Sequence, residues 1–389
     1  MDVSPTFYPV HLKTGLVMDR DLPLRNVKMT GGTGSAPGTF SADLDLMELV
    51  NYPGITDVRR EWDQTLALIK PWAMSILAVR EGLTGVTTVA DRPISEWIIT
   101  EAPRGHLDTV IPLRGIEITG YPAHATVTTA RHTSRVDSIR MAYELLMECY
   151  NAGPVAATAL VDPVPASALT AGLDVTVGAA MYADALRQIQ GDMEWEWGIW
   201  YADLDHTVQP LRVKRTIAVG APFLRDNRVI GEGEFAIEAA PPGQPPAGIL
   251  DYTLEPNLGD AISELHAFGA GSGSAQRYIP LTRAVDPDYP RLSATLQAND
   301  ARTTEALRSE GLRSLRGLSE PSQTITMQVL TERLPAGGAR VGHTYDVTLW
   351  ESPAIPYPPA NAKYRVTSWE WSQPGDGQPD TTILTMMRR

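Results

Sequence analysis

Cysteine is nearly absent from this sequence: Cys149 is the single one in 389 residues. One thiol forms no internal disulfide and builds no zinc site that rests on several thiolates. Its place in SIRMAYELLMECY reads as a buried helix face rather than a reactive group. Positive charge is also short, with 33 Lys plus Arg against 46 Asp plus Glu and a formal net charge of −13. That balance opposes direct nucleic-acid binding, which needs a basic surface to meet phosphates. No apolar run approaches the ~18 residues of a membrane-spanning helix, and MDVSPTFYPV lacks the basic and apolar regions of a signal peptide. The chain is therefore expected to start out in a cytoplasm. Catalytic signatures are missing as well: there is no Gly-x-Ser-x-Gly elbow and no phosphate loop ending in Gly-Lys-Ser/Thr.

What is present is a long, strand-rich chain. Its 389 residues exceed what one hydrophobic core usually organises, so two or three domains are expected. Residues 1–121 carry short β-type runs separated by turn chemistry, among them LVMD, KMTGGTGSAPGTFSADLDL, MSILAVREGLTGVTTVA and SEWIIT, and are expected to form a β-barrel-like or sandwich domain. From Val136 the period changes. Ile139, Ala142, Tyr143, Leu146 and Cys149 fall on one helical face, Ser134 or Asp137 can cap it, and Gly153-Pro154 ends it. The Ala- and Pro-rich GPVAATALVDPVPASALTAGL reads as an ordered loop. In GAAMYADALRQIQG, Met181, Ala185 and Ile189 repeat at helical spacing and Gly191 supplies a stop. Residues 122–215 thus read as an α/β domain with two helices and a Trp-rich strand.

Residues 216–389 read as a second β-rich domain. A proline-rich seam, APPGQPPAGIL, is followed by a helix within NDARTTEALRSEGLRSLRGL and strands in SQTITMQVLTERL and HTYDVTLWE. KYRVTSWEWS and TTILTMM, joined through PGDG, read as a β-hairpin. On its first strand Tyr364, Val366, Ser368 and Glu370 alternate with Arg365, Thr367, Trp369 and Trp371, so both faces carry apolar groups and both are expected to be covered. The fold class is α+β, mostly β.

Each constellation that might carry chemistry has a plainer structural reading. Gly269, Gly271 and Gly273 in ELHAFGAGSGSAQRY lack dinucleotide-fingerprint spacing, and the extended AQRYIPLTR offers no helix N-terminus to a phosphate. They read as a tight turn or bulge that lets backbone approach closely, with Ser272 and Ser274 solvated. In DMEWEWGIWYADLD, alternation sets Trp195, Trp197, Ile199 and Tyr201 on one strand face, with Glu194, Glu196 and Trp200 on the other. Paired carboxylates beside tryptophans can cleave or bind glycans, but a solvent-facing edge behind a buried Trp face fits the same residues. Asp203, Asp205 and His206 in YADLDH read as an acidic turn rather than metal ligands. His124 and His132, flanking the apparent strand ATVTTAR, match no zinc-helix spacing and read as surface or satisfied polar residues. No catalytic, cofactor-binding or metal-ligating residue is assigned.

The order of segments carries a resemblance that no single motif does. SEWIIT and LRGIEITGY close the first β region, then come DSIRMAYELL, a second helix and MEWEWGIWYADLDHTVQPLRV. LHAFGAGSGSAQRY, TTEALRSEGLRSL, RVGHTYDVTLWE and the final hairpin YRVTSWEWSQPGDGQPDTTILTMMRR follow. This order resembles the baseplate or tail-tip hub proteins of tailed bacteriophages, known in many actinobacterial siphophages as minor tail proteins, over most of the chain. The resemblance implies two β-barrel-like hub domains flanking an α/β insertion domain, and a homotrimeric ring that matches a sixfold tail tube to a threefold tip. It implies a virion location at the tail tip and a part in tail assembly and DNA delivery. The implied partners are the distal tail protein ring, the tape-measure protein and other minor tail or tip proteins, without cofactor or enzymatic activity. Many such hubs carry C-terminal receptor-binding or lytic extensions; this sequence ends just after its last hairpin, so neither role is carried over. The apolar loops Val155–Leu173 and Ala240–Leu250 are candidate subunit contacts. Two other readings remain: a glycan-binding or glycan-cleaving tail component using Trp195–Tyr201, and a nonviral β-rich enzyme or secreted binding protein.

Overall fold

The structure, a computed structural model, describes residues 5–18, 21–50, 57–80, 92–105, 108–152, 170–190, 195–201, 211–213, 215–220, 236–238, 248–257, 262–271, 273–282, 291–298, 301–317, 322–334, 339–349 and 362–388. It is mostly β, with a large curled half-barrel sheet and a few helices. The chain divides into two compact units, one of Met1–Tyr252 with Thr326–Met387 and one of Thr253–Ile325.

The first unit opens with β1 (Thr6–His11), β2 (Leu24–Gly31) and β3 (Thr39–Asp45), then α1 (Leu46–Val50) and α2 (Val58–Leu68). β4 (Met74–Arg80), β5 (Arg92–Glu101) and β6 (Val110–Glu117) follow, and the strands lie side by side as β1-β4-β5-β6-β3-β2, antiparallel throughout. Strict alternation buries Phe40, Ala42 and Leu44 of β3. β4, MSILAVR, is buried at every position, as expected of a central strand covered on both faces. α2 is an element that the apolar pattern did not announce. Asp57 starts it by accepting a hydrogen bond from the Arg60 amide at 3.1 Å, an N-cap that satisfies one of the first-turn donors.

Next come β7 (Arg131–Asp137), α3 (Ser138–Ala152), β8 (Thr170–Val175), α4 (Tyr182–Gln190), β9 (Glu196–Tyr201) and β10 (Arg215–Gly220), with β7 paired to β8 and β9 to β10. α3 matches the expected helix. Of the two possible caps, Asp137 accepts from the Arg140 amide at 2.9 Å. Ile139, Ala142, Leu146 and Cys149 are buried, joined by Met141, Leu145 and Tyr150. α4 buries Ala185 and Ile189 as expected, whereas Met181 lies before the helix and is exposed. Tyr182, Ala185, Leu186 and Ile189 form the buried stripe, at spacings of three, four and seven. Two other expectations are corrected. TAGL, read as the end of a loop, is the start of β8, because it pairs with β7. ATVTTAR is not a strand: Thr126 makes one bridge to Met181, and β7 begins at Arg131.

The chain continues through β11 (Ala236–Glu238) and β12 (Ile249–Asn257) into the second unit. There β13 (Glu264–Phe268), β14 (Tyr278–Thr282) and β15 (Ser293–Gln297) form a three-stranded sheet, antiparallel between β13 and β14 and parallel between β13 and β15. α5 (Thr304–Gly317) packs on one face, burying Leu265, Ala267, Leu281 and Leu296 against Leu307 and Leu315. β16 (Ser322–Leu330), β17 (Thr344–Thr348), β18 (Ala362–Ser372) and β19 (Thr381–Arg388) complete the large sheet in the order β2-β18-β19-β16-β12.

β18 is the joint of that sheet. Its first half pairs with β17, Tyr364 opposite Tyr345, and its second half with β2, Trp369 opposite Gly31 and Trp371 opposite Met29. Its inward face changes over between the two. Tyr364 and Val366 are buried, then Trp369 and Trp371, so the alternation slips by one residue across Thr367 and Ser368. The apolar groups expected on both faces therefore belong to one strand that, besides β19, serves β17 and then β2 along its length.

Candidate functional site

Several distant segments meet on the loop between β2 and β3, within GGTGSAPG at residues 31–38. Glu117, at the end of β6, is buried behind this loop. Its Oε2 accepts from the amides of Gly32 at 3.0 Å and Gly38 at 2.9 Å and from Thr119 Oγ1 at 3.2 Å, while Oε1 accepts from Ser95 Oγ at 2.8 Å. Burial pushes the Glu117 carboxyl above the usual range, against the downward pull of those four hydrogen bonds. Two tryptophans close over the same loop. A Cβ at Gly31 would stand inside the Trp369 indole, and one at Gly34 inside that of Trp197; only glycine leaves room for these rings. The Gly34 amide also donates to the Trp197 carbonyl at 2.8 Å. Trp97, stacked on Phe40 with centroids 5.5 Å apart, meets Trp369 edge-on at 6.2 Å and donates from Nε1 to the Thr30 carbonyl at 3.1 Å. Glu117, Ser95, Thr119, Arg340 and Trp369 line a small, partly open pocket.

Three charged pairs tie the same unit together. Glu96 of β5 and Arg215 of β10 are fully enclosed. Arg215 donates from Nε to Oε2 at 2.8 Å and from Nη2 to Oε1 at 2.6 Å, and from Nη1 to the Leu12 carbonyl at 3.1 Å. Ser75 adds its hydroxyl to Glu96. Arg365 of β18 forms a second two-pronged pair with Glu196 of β9, at 2.7 and 3.0 Å. Arg80 reaches Asp380 at 3.3 Å and lies over the Trp371 ring at 5.6 Å. Burial lowers the Arg80 pKa, with Asp380 opposing. Such two-pronged pairs fix orientation as well as distance. The arrangement positions strands rather than reacting atoms.

Sequence-derived candidates fall differently. Trp195, Trp197 and Ile199 are buried, as alternation required, and rings enclosed in a core cannot stack on a sugar. Glu196 was expected to face solvent and instead is partly buried in its two-pronged pair with Arg365 of β18. Glu194, Asp203, Asp205 and His206 lie outside the described residues. His124 is exposed and packs against Trp72 with ring centroids 4.8 Å apart, and His132 pairs with Asp174 at 2.6 Å. Among the described residues no three His, Cys, Asp or Glu side chains group as a metal site. Cys149 is buried, and burial pushes its thiol far up, which makes it inert. Gly271 takes φ +120° and Gly273 φ +55° in a loop that joins β13 to β14, so the turn reading is correct. Most of the two apolar loops, 153–169 and 240–247, lies outside the described residues. Sequence reasoning passed over the glycines of residues 31–38, although four glycines in eight positions signal close backbone approach.

No family model and no curated protein matches this chain. Solved structures do. A tail protein from Neisseria meningitidis MC58 is 12% identical, with 98% of this chain and 96% of that one covered and a TM-score of 0.59. The 43 kDa tail protein of prophage MuSo2 from Shewanella oneidensis is 10% identical over 98% of both chains, with a TM-score of 0.56. A chain of the half-lidded Francisella PdpA–VgrG complex is 8% identical, with 100% of this chain and 58% of that one covered and a TM-score of 0.53. At such identities the likeness is one of fold. Among the described residues, no helix is long and apolar enough to cross a membrane.

Proposed function

We propose that this chain is a structural subunit of a bacteriophage tail, the hub of the tail tip in a siphophage of the actinobacterial type. In this reading it assembles in the host cytoplasm as a homotrimer, with the β-rich regions 1–121 and 216–389 as its two hub domains and 122–215 between them. The ring joins the sixfold tube to the threefold tip, meets the distal tail ring, the tape-measure protein and other minor tail proteins, and takes part in DNA delivery. It performs no reaction. The observation that carries the reading is the end-to-end fold likeness to two tail proteins, which spans 98% of this chain in each case. The burial of Trp195 and Trp197 weighs against the glycan-cleaving alternative at that strand. Electron cryomicroscopy of assembled tails tests the proposal: three copies in a closed ring at the tip are expected, and one copy or a ring of six defeats it.

A further inference from the structure

The second unit presents a sheet face that α5 leaves open. Because β13 pairs with β14 and β15 in the registers His266 opposite Pro280 and Thr295, and Phe268 opposite Tyr278 and Gln297, these six residues form two adjoining rows on that face. Glu264 heads a third row with Thr282 and Ser293. Every residue of the rows contributed by β14 and β15 is exposed, and those of β13 are half-buried between them. Tyr278 is 48% exposed, a large share for a ring in a regular strand. Its position is fixed all the same. It lies parallel to the His266 imidazole, centroids 5.9 Å apart and planes 10° off, with its hydroxyl 2.7 Å from Nδ1, and Phe268 leans on it at 5.1 Å. Glu264 stands 3.7 Å from the far imidazole nitrogen, Nε2.

We propose that this face binds carbohydrate, with the Tyr278 and Phe268 rings under the apolar side of a sugar and His266, Thr295 and Gln297 hydrogen-bonding its hydroxyls. Charge decides the ligand class. The nine positions hold no Lys or Arg, so a phosphate-bearing ligand or an anionic membrane surface finds no cation. An apolar protein surface laid over the face would strip water from Thr282, Ser293, Thr295 and Gln297 without replacing their hydrogen bonds. A neutral polyol offers both an apolar side for a preset aromatic platform and hydroxyls for the polar neighbours. The proposal does not depend on the hub reading, since it concerns the isolated chain.

Saturation-transfer NMR and calorimetry of the full chain against neutral oligosaccharides, chitohexaose, maltoheptaose and a mannan fragment, test it. At least one is expected to bind. Tyr278→Ala should weaken that binding about tenfold, the loss of roughly 1.4 kcal/mol of stacking and contact. Tyr278→Phe, which keeps the ring, should lie between that variant and the wild type. Far-ultraviolet dichroism and amide NMR spectra of both variants should match the wild type, which separates lost contact from lost fold. No binding to any of these sugars overturns the proposal, as does binding that Tyr278→Ala leaves unchanged. Loss of tail assembly in Tyr278→Ala without any glycan binding also overturns it and makes the face a protein contact.

Discussion

Arg215→Met probes how the first unit is held together. The wild-type guanidinium is fully enclosed and makes two contacts to Glu96, at 2.8 and 2.6 Å, besides one to the Leu12 carbonyl at 3.1 Å. Methionine fills much of the same volume, so little of the loss is packing. What remains is an enclosed Glu96 carboxylate with the Ser75 hydroxyl but no cation. Breaking a buried pair in this way costs about 3–5 kcal/mol. With about 2–4 °C per kcal/mol for a large domain, the melting midpoint should fall by roughly 6–20 °C. Replacing both partners, Glu96→Leu with Arg215→Met, removes the charge together with its counter-ion and should restore most of that loss. Thermal melts by circular dichroism and urea midpoints of the wild type, both single variants and the double variant complete the cycle. A double variant as unstable as the sum of the singles, or an Arg215→Met that melts with the wild type, would refute the reasoning.

Gly34→Val should prevent the β2–β3 loop from seating, since its side chain would occupy the position of the Trp197 ring; soluble yield and near-ultraviolet dichroism read the effect, and a native spectrum would sink it. Gly271→Val should destabilise the second unit by about 1–3 kcal/mol, because φ +120° is closed to a β-branched residue, and hydrogen exchange at β13 and β14 measures it. Burial pushes Glu148 up, but hydrogen bonds from Thr128, Arg131 and Tyr182 outweigh it and hold the folded pKa at about 2, below the ordinary value of 4.5. The stabilisation it lends is therefore present above the ordinary range and is lost as pH falls from there toward 2; Glu148→Gln should flatten that acid limb in a pH series of melts, and an unchanged limb contradicts the assignment. Deleting the residues after Gln373 removes β19 and uncovers one edge of β18, so aggregated protein is expected; soluble, monodisperse truncated protein would show that the hairpin is dispensable.

Legibility followed the range of the forces. α3 could be read because its apolar residues repeat every three to four positions and its cap lies next to them. α2 could not, since VRREWDQTLAL is dominated by Arg59, Arg60, Glu61 and Asp63 and buries only a thin stripe, with Thr65 at its centre. For α4 the period and two of the three expected residues, Ala185 and Ile189, are right, and only the first is displaced, because Met181 and Tyr182 are both apolar and tertiary packing chose the tyrosine. The Trp face of β9 was local and legible. The role of Glu196 was not, because its partner Arg365 stands 169 positions away. The clasp around Glu117 escaped for the same reason: each participant is ordinary in its own segment, and only the assembled strands bring glycine amides, carboxylate and indoles together. β18 shows the limit of alternation, which assumes one set of neighbours per strand.

The pairing of β2 with β18 also sets a timetable for the newborn chain. The Val27 amide meets the Gln373 side chain at 3.4 Å across 346 positions, and the strands at Met29 and Trp371 are similarly far apart in sequence. At a synthesis rate of about 5–20 residues per second, β2 waits roughly 20–70 seconds for its partner to leave the ribosome. During that interval the β2 edge of the first set of strands is bare. The residues β2 turns outward are Arg25, Asn26 and Lys28. Their charge and hydration discourage a neighbouring copy from docking there first, so these surface side chains protect the subunit while it is still being made.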